Sequence, residues 1–321
     1  MRMLRAAAEP SRLRLLALCT LGEFTVSELV QILNHSQPRI SRHLKILCDA
    51  GFLERLSEGN WAYYRQATEP EARAAANQLL SLVPNEDGGG DDVFARDLER
   101  LAEVKSARSL RADQYFQQVA GEWDHIRALF TGDQTGENAV EQAIKAAIAG
   151  GPAGRLIDIG TGTGRMLEVL GPDMEQATGI DRSHEMLTIA RAKLDRAGLE
   201  NCGVRHADMY VLPFKGGVFD AAVIHQVLHY ADDPGAVLAE AARVIKPGGR
   251  VVVADFARHD RQELRDIYQH QRLGFDQAGM TGWLVAAGLA EEPPVRLAGG
   301  ALTVVVWSAI KASPEANGRH G

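Results

Sequence analysis

Apolar residues recur at helical spacing through the first third of the chain and then change rhythm. Residues 3–20 read as helix, with Glu9-Pro10-Ser11 as the junction between two helices. Proline suits a first helical turn, and Ser11 follows it where caps are common. Thr25–Leu33 predicts a further helix with Leu29, Ile32 and Leu33 on one side. In the next segment Ile40, Leu44 and Leu47 stand at i, i+4 and i+7 and face inward. Ser36 is placed to cap that helix and Pro38 sits in its first turn. Gln37, Arg39, Ser41, Arg42, His43 and Lys45 are left outward or lateral. Gly51–Arg65 then reads as strand, turn and strand, a hairpin wing.

Asn85–Asp92 is an acidic, glycine-rich break. Beyond it Phe94, Leu98, Leu101 and Lys105 fall at helical spacing. This predicts either a strut between two copies of the chain or an amphipathic helix packed on its own domain. From Tyr115 onward strand-like and helix-like segments alternate. Strands are expected at 155–159, 177–180, 204–206, 221–224, 250–256, 295–297 and 302–309, with helices such as Ser183–Gly198 and Gly235–Ile245 between them. That rhythm predicts a doubly wound α/β sheet ending in an antiparallel hairpin.

Composition divides these parts further. At 321 residues, two domains are expected. The first 66 residues hold nine Lys and Arg against six Asp and Glu, whereas the remainder carries 26 against 36. A basic head on an acidic body points to a polyanionic partner for the head. No apolar run approaches the ~18–20 residues that span a bilayer, and charges and Pro10 break the amino-terminal segment, so no signal peptide is expected. Cys19, Cys48 and Cys202 are too few and scattered for a disulfide framework or zinc cluster. A cytoplasmic protein without membrane contact is expected.

The richest chemistry lies in Arg155-Leu-Ile-Asp158-Ile-Gly160-Thr-Gly162-Thr-Gly164. An apolar strand ends in a carboxylate and then in glycines spaced by two. Such a turn brings bare backbone N–H groups to a ligand at the carboxyl end of a sheet. The dinucleotide pattern G-x-G-x-x-G needs a small residue where Arg165 stands, so the spacing is G-x-G-x-G instead. Asp181 closes the second strand, where a carboxylate accepts both hydroxyls of a ribose. Asp208 and Met209 follow the third strand, where a carboxylate meets an adenine amine and a backbone N–H its ring nitrogen.

Two resemblances follow. AAAEPSRLRLLALC, SQPRISRHLKIL and the EGNWAYYR wing resemble the ArsR/SmtB winged-helix repressors, over about residues 3–82. The resemblance implies a homodimer paired through its first and last helices on a double-stranded DNA operator. Helix 37–47 would enter the major groove, with Arg39, Arg42 and Lys45 on phosphates or guanine, and Gln37, Ser41 and His43, with Ser36 at the helix start, towards base edges. The chain departs from the family's metal sensors. Segment 22–30 contains no cysteine and segment 69–82 no histidine, so no metal is expected.

DIGTGTGRM, GIDRSHEML, HADMYVLPF, FDAAVIHQVLHY and VIKPGGRVVVADF together resemble class I S-adenosylmethionine (SAM)-dependent methyltransferases, over about residues 113–310. The resemblance implies that Gly160, Gly162 and Gly164 pass under the methionine end, that Asp158 sets the loop and that Asp181 holds the ribose. Arg182 or Met186 would flank the adenine, Asp208 and Met209 read its edge, His225 line the floor near the sulfonium, and Tyr115 cover the cofactor as an aromatic lid. Its product would be S-adenosylhomocysteine (SAH).

The expected architecture is a mainly α winged helix-turn-helix over 1–84, a linker and connecting helix over 85–112, a Rossmann-like methyltransferase sheet over 113–311 and a disordered tail over 312–321. The expected function is a DNA-binding regulator whose second domain methylates a small-molecule acceptor. Tyr115, His225 and His229 are the candidate catalytic groups. Two alternatives stand beside it: a repressor that senses SAM or SAH without turnover, and a plain methyltransferase dimerised by its first module.

Overall fold

The computed structural model describes residues 2–58, 61–67, 69–81, 93–108, 110, 134–149, 151, 154–264, 270–298 and 302–312. The chain divides into two compact units, Met1–Ala112 and Asp113–Gly321. The expected linker at 85–92, the lid residue Tyr115 and the tail from 313 lie outside the described residues.

The first unit runs α1 (Arg2–Ala7), α2 (Pro10–Thr20), β1 (Phe24–Thr25), α3 (Val26–Leu33), α4 (Gln37–Asp49), β2 (Leu53–Glu58), β3 (Trp61–Gln66) and α5 (Pro70–Ser81), followed by a helix over 93–108, α6. The cap of α2 is Glu9, not Ser11. A Glu9 Oε2 accepts from the Arg12 N–H at 2.9 Å, while Ser11 is buried. α3 begins with a capping box between Thr25 and Glu28. It ends at Asn34, whose left-handed backbone (φ 52°) makes the tight turn into α4. Ser36 occupies the N-cap position of α4 but makes no side-chain cap bond. β2 and β3 form the antiparallel wing and β1 pairs with β3. Leu15, Leu16, Leu29, Ile32, Ile40, Leu44, Leu47 and Phe52 close the core.

Helix α6 belongs to this unit's core, with a different inward face from the expected one. Asp97, Leu101, Val104 and Arg108 are buried, whereas Leu98 is 40% exposed. The reason is that two charged residues carry the inward face. Arg14 donates from Nε and Nη2 to the two Asp97 oxygens at 2.6 Å each. Arg108 Nη2 donates to the Glu23 carbonyl (3.0 Å) and to Glu28 Oε1 (2.9 Å). Arg100 reaches the Ile32 carbonyl and Lys105 the Leu21 carbonyl. The helix packs on its own domain.

The second unit comprises α7 (Gln134–Ala149), β4 (Arg155–Ile159), α8 (Arg165–Leu170), β5 (Gln176–Asp181), α9 (His184–Ala197), β6 (Cys202–His206), β7 (Phe219–His225), α10 (Pro234–Val244), β8 (Ile245–Phe256), α11 (Gln277–Ala286), β9 (Leu289–Glu291), β10 (Val295–Ala298) and β11 (Thr303–Lys311). The sheet order is β10-β11-β8-β7-β4-β5-β6, with β9 on β11. β4 to β8 are parallel, and β9, β10 and β11 supply the antiparallel end. One sheet face buries Leu156, Val223 and Val252 beneath α7, α8 and α9; the other buries Ile157, Ile224 and Val253 beneath α10 and α11. This alternation is the two-residue period of strands covered on both sides. Strand order reverses between β4 and β7, which places the ligand crevice at the carboxyl end of β4.

Candidate cofactor cleft and nucleic-acid interface

The glycine loop follows β4 directly. Gly160, Gly162 and Gly164 all have positive φ (75°, 52° and 82°). They differ in what a side chain would meet. A Cβ on Gly160 would fall 2.5 Å from Val227, whereas one on Gly162 would enter open space. The bare face at Gly162 is therefore room left beside the backbone, not packing. Gly160 and Thr161 donate their N–H groups to the Ile180 carbonyl at 2.9 and 2.8 Å. Thr161 Oγ1 donates to Asp158 Oδ2 at 2.6 Å, in space that a side chain at Gly179 would occupy.

Asp181 ties this loop to the next strand. Its Oδ2 accepts from the Gly162 N–H (2.9 Å) and its Oδ1 from the Ser183 N–H (2.8 Å). A carboxylate held by two backbone donors keeps a lone pair on each oxygen for two hydroxyls. Asp158, Gly160, Gly162 and Asp181 thus form one bonded unit. His206, beside Asp181 in register, hydrogen-bonds from Nε2 to the Arg182 carbonyl at 3.0 Å and stacks on His184 at 4.1 Å. Arg182 is exposed and Met186 half-buried. Asp208 is exposed and accepts from the Tyr210 N–H, while Met209 packs against the sheet core.

Asp158 is almost fully buried, and among the described residues its Oδ1 has no partner. Burial, reinforced by the Asp181 charge and opposed by the Thr161 hydroxyl, raises its carboxyl to about 7. A carboxyl raised in the fold binds its proton more tightly there than in the unfolded chain. Stability is therefore expected to fall as pH rises from about 4 through about 7 and then to level off. Denaturant midpoints across that window should show the slope in the natural chain and a flatter one in Asp158→Asn. Equal slopes would contradict the assignment.

His225 ends β7, and burial pushes its imidazole down to about 4. His229 lies four residues on, in a short 3-10 turn, and is 1% exposed. Its Nδ1 is 2.8 Å from Asp255 Oδ1, at the end of β8. Sequence reasoning missed Asp255. The one signal was a carboxylate closing the apolar run of β8. Arg165, where the dinucleotide pattern wants a small residue, makes a two-pronged pair with the buried Glu141 of α7. Among the described residues no group of three or more His, Cys, Asp or Glu is placed to hold a metal ion. Burial pushes the thiols of Cys48 and Cys202 up to about 11 and about 12.

On the first unit, Ser36, Gln37, Arg39, Ser41, Arg42 and Lys45 are exposed along α4. His43 is not. It is buried against α2, with Nε2 3.8 Å from Glu9 Oε2. It is adjacent to Leu44 and three residues from Ile40, so it flanks the apolar stripe and turns inward with it. Burial and the cations of Arg12, Arg39 and Arg42 lower its pKa against the pull of Glu9. Arg39 donates to Ser11 Oγ at 2.9 Å and lies 3.6 Å from Glu9 Oε1, so it braces the head as well as facing outward.

The first unit is thus a winged helix-turn-helix, and the second a doubly wound sheet with a glycine loop and a backbone-held carboxylate at the point where strand order reverses. Residues 9–55 match the family described as bacterial regulatory protein, arsR family, and residues 157–253 match the family described as methyltransferase domain. Over those residues the chain matches an arsR-type helix-turn-helix and, separately, a methyltransferase domain. It is 33% identical over 146 residues to the ubiquinone/menaquinone biosynthesis C-methyltransferase UbiE of Desulfotalea psychrophila, covering 44% of this chain and 57% of that protein. It is 36% identical over 123 residues to the phosphatidylethanolamine N-methyltransferase of Cereibacter sphaeroides, covering 38% and 60%. The chain thus spans little more than half the length of these curated relatives. In fold it resembles the cyclase SpnF (TM-score 0.52, 19% identity, 62% of this chain and 95% of that one). No helix among the described residues is long and apolar enough to cross a membrane.

Proposed function

We propose that this protein is a DNA-binding transcriptional regulator whose second unit binds SAM and methylates a small molecule. A homodimer on duplex operator DNA in the cytoplasm completes the reading. The observation that carries the cofactor assignment is the Gly162–Asp181 unit: open space beside Gly162 and a carboxylate fixed by two backbone N–H groups with both oxygens able to accept further. Those residues suit an adenosyl ligand, with Gly162 under the methionine end and Asp181 on the ribose hydroxyls. The cofactor, when bound, supplies a methyl group already activated on a sulfonium. The protein's part is to align an acceptor with it in a dry pocket.

The methyltransferase-domain match over residues 157–253 takes in this segment, and relatives named for methylation on carbon and on nitrogen are similar to the chain, which supports the cofactor half of the reading. The test is calorimetry of the full chain with SAM and with SAH, with and without genomic DNA fragments. Asp181→Ala is expected to weaken SAM by about 1–3 kcal/mol, roughly 5- to 150-fold, from lost bonds to a charged acceptor. An unchanged isotherm would remove the ribose assignment. SAM uptake that shifts DNA affinity without SAH formation would favour a sensor, and SAM uptake by a chain with no DNA affinity a plain methyltransferase.

A further inference from the structure

Past the end of β8 the chain is tied to a returning segment, 272–275. The Phe275 N–H donates to the Phe256 carbonyl (2.9 Å), the Arg258 N–H to that of Phe275 (2.9 Å) and the His259 N–H to that of Leu273 (3.0 Å). Gly274 permits this approach: its φ is 75°, and a Cβ there would fall 2.3 Å from the Ala257 carbonyl oxygen. The two segments and the first turns of α11 wall a cavity of about 520 Å³, within the usual ~300–1,000 Å³ range for small-molecule sites. Among the described residues its lining takes in neither the glycine loop nor Asp181.

Arg272 stands in this wall, half-buried, and among the described residues no carboxylate pairs with it. Neutral groups hold it in place. Its backbone N–H donates to the His229 carbonyl (3.1 Å), Nη2 donates to the Asp232 carbonyl (2.8 Å), and the guanidinium lies 5.5 Å from the Trp283 ring centre. Nε and Nη1 bond to nothing among the described residues, and of the two only Nε is buried. The other charges of the wall are arranged differently. Arg258 Nη1 meets Asp276 Oδ2 at 3.3 Å, while Asp276 Oδ1 caps α11 through the Gly279 N–H at 2.8 Å. Burial, with His229 and Arg261 acting the same way, lowers the His259 imidazole, so that ring stays neutral. Asp260 is exposed.

A guanidinium withdrawn from water without a counter-charge is costly, and its planar fork matches a carboxylate. Trp283 and Leu273, both half-buried, offer apolar surface beside it, and an indole favours a flat ring system as neighbour. Asp260 and Asp276 on the same wall repel a guest with a second negative charge. We propose that this cavity binds an aromatic monocarboxylate, its charge on the Arg272 guanidinium and its rings against Trp283 and Leu273. The site lies outside the proposed cofactor cleft and does not rest on the SAM reading.

The test titrates the full chain with 2-naphthoate and its neutral twin, 2-naphthamide, followed by ligand-observed NMR. The acid is expected to bind at least about tenfold more tightly than the amide, as a hydrogen-bonded charge pair would require, with the margin narrowing as salt is added. Arg272→Gln should abolish that margin by weakening the acid, with the amide and SAM isotherms unchanged. Asp181→Ala should leave the acid isotherm unchanged. In the natural chain the acid, but not the amide, should protect Arg272 from phenylglyoxal, read by peptide mass spectrometry, a measurement that needs no variant. No uptake of the acid, equal uptake of acid and amide, or an undiminished margin in Arg272→Gln would overturn the site. So would equal modification of Arg272 with and without the acid. Loss of the acid in Asp181→Ala would put the probe in the cofactor cleft and overturn it too.

Discussion

Asp97→Asn is expected to destabilise the first unit by roughly 3–5 kcal/mol, the cost of leaving one partner of a buried ion pair uncompensated. Asp97 has no solvent exposure and receives both prongs of Arg14 at 2.6 Å, with Arg100 3.8 Å away. Asparagine keeps the shape but removes the charge, so the Arg14 guanidinium is left in a site built for a carboxylate. Amide hydrogen exchange on the full chain is the direct measurement. Protection should drop across 10–49 and 93–108 and stay unchanged across 155–256. The surface pair Lys145–Asp173, with both side chains about half exposed, should by contrast contribute little when broken. Uniform protection in Asp97→Asn would mean that the pair is dispensable. The same contacts bear on dissection: a fragment ending at 84 would strip Arg108 from Glu28 and Asp97 from Arg14, so DNA measurements belong on the full chain.

The second large effect is expected from Arg42→Glu. Arg42 and Lys45 are exposed on the outer side of α4, where the proposed function places a phosphate backbone. Removing one phosphate contact lowers the salt slope of DNA binding by about one, and reversing its charge adds repulsion. Affinity for a pool of duplex fragments should drop at least tenfold at low salt, with the SAM isotherm unchanged. Equal affinity and an equal salt slope would remove α4 from the interface. Arg39→Glu is a poorer probe, because Arg39 also bonds Ser11 and lies near Glu9, so a loss there mixes recognition with damage to the head. His43→Ala should act through stability, since its ring is buried against α2.

Much of this architecture was legible from local signals. The spacing of Ile40, Leu44 and Leu47 determined which side of α4 is buried, because a helix repeats every 3.6 residues whatever surrounds it. The three loop glycines announced a turn with positive φ, because only glycine adopts that backbone without steric cost, and all three have it. The positions of β4, β5, β7 and β8, each an apolar run, followed from the strand-like patterning in the same way. Tertiary structure alone decided where the charged groups go. Asp97 and Arg108 point inward because their partners, Arg14 and Glu28, stand 83 and 80 residues away in the chain. His43 turns inward beside Glu9, and Asp255 finds His229 from 26 residues away. Hydrophobic periodicity records the burial of apolar groups, which need only be out of water. A buried charge also needs an opposite or hydrogen-bonding partner at one distance and direction, and that partner is supplied by the folded chain rather than by any neighbouring residue.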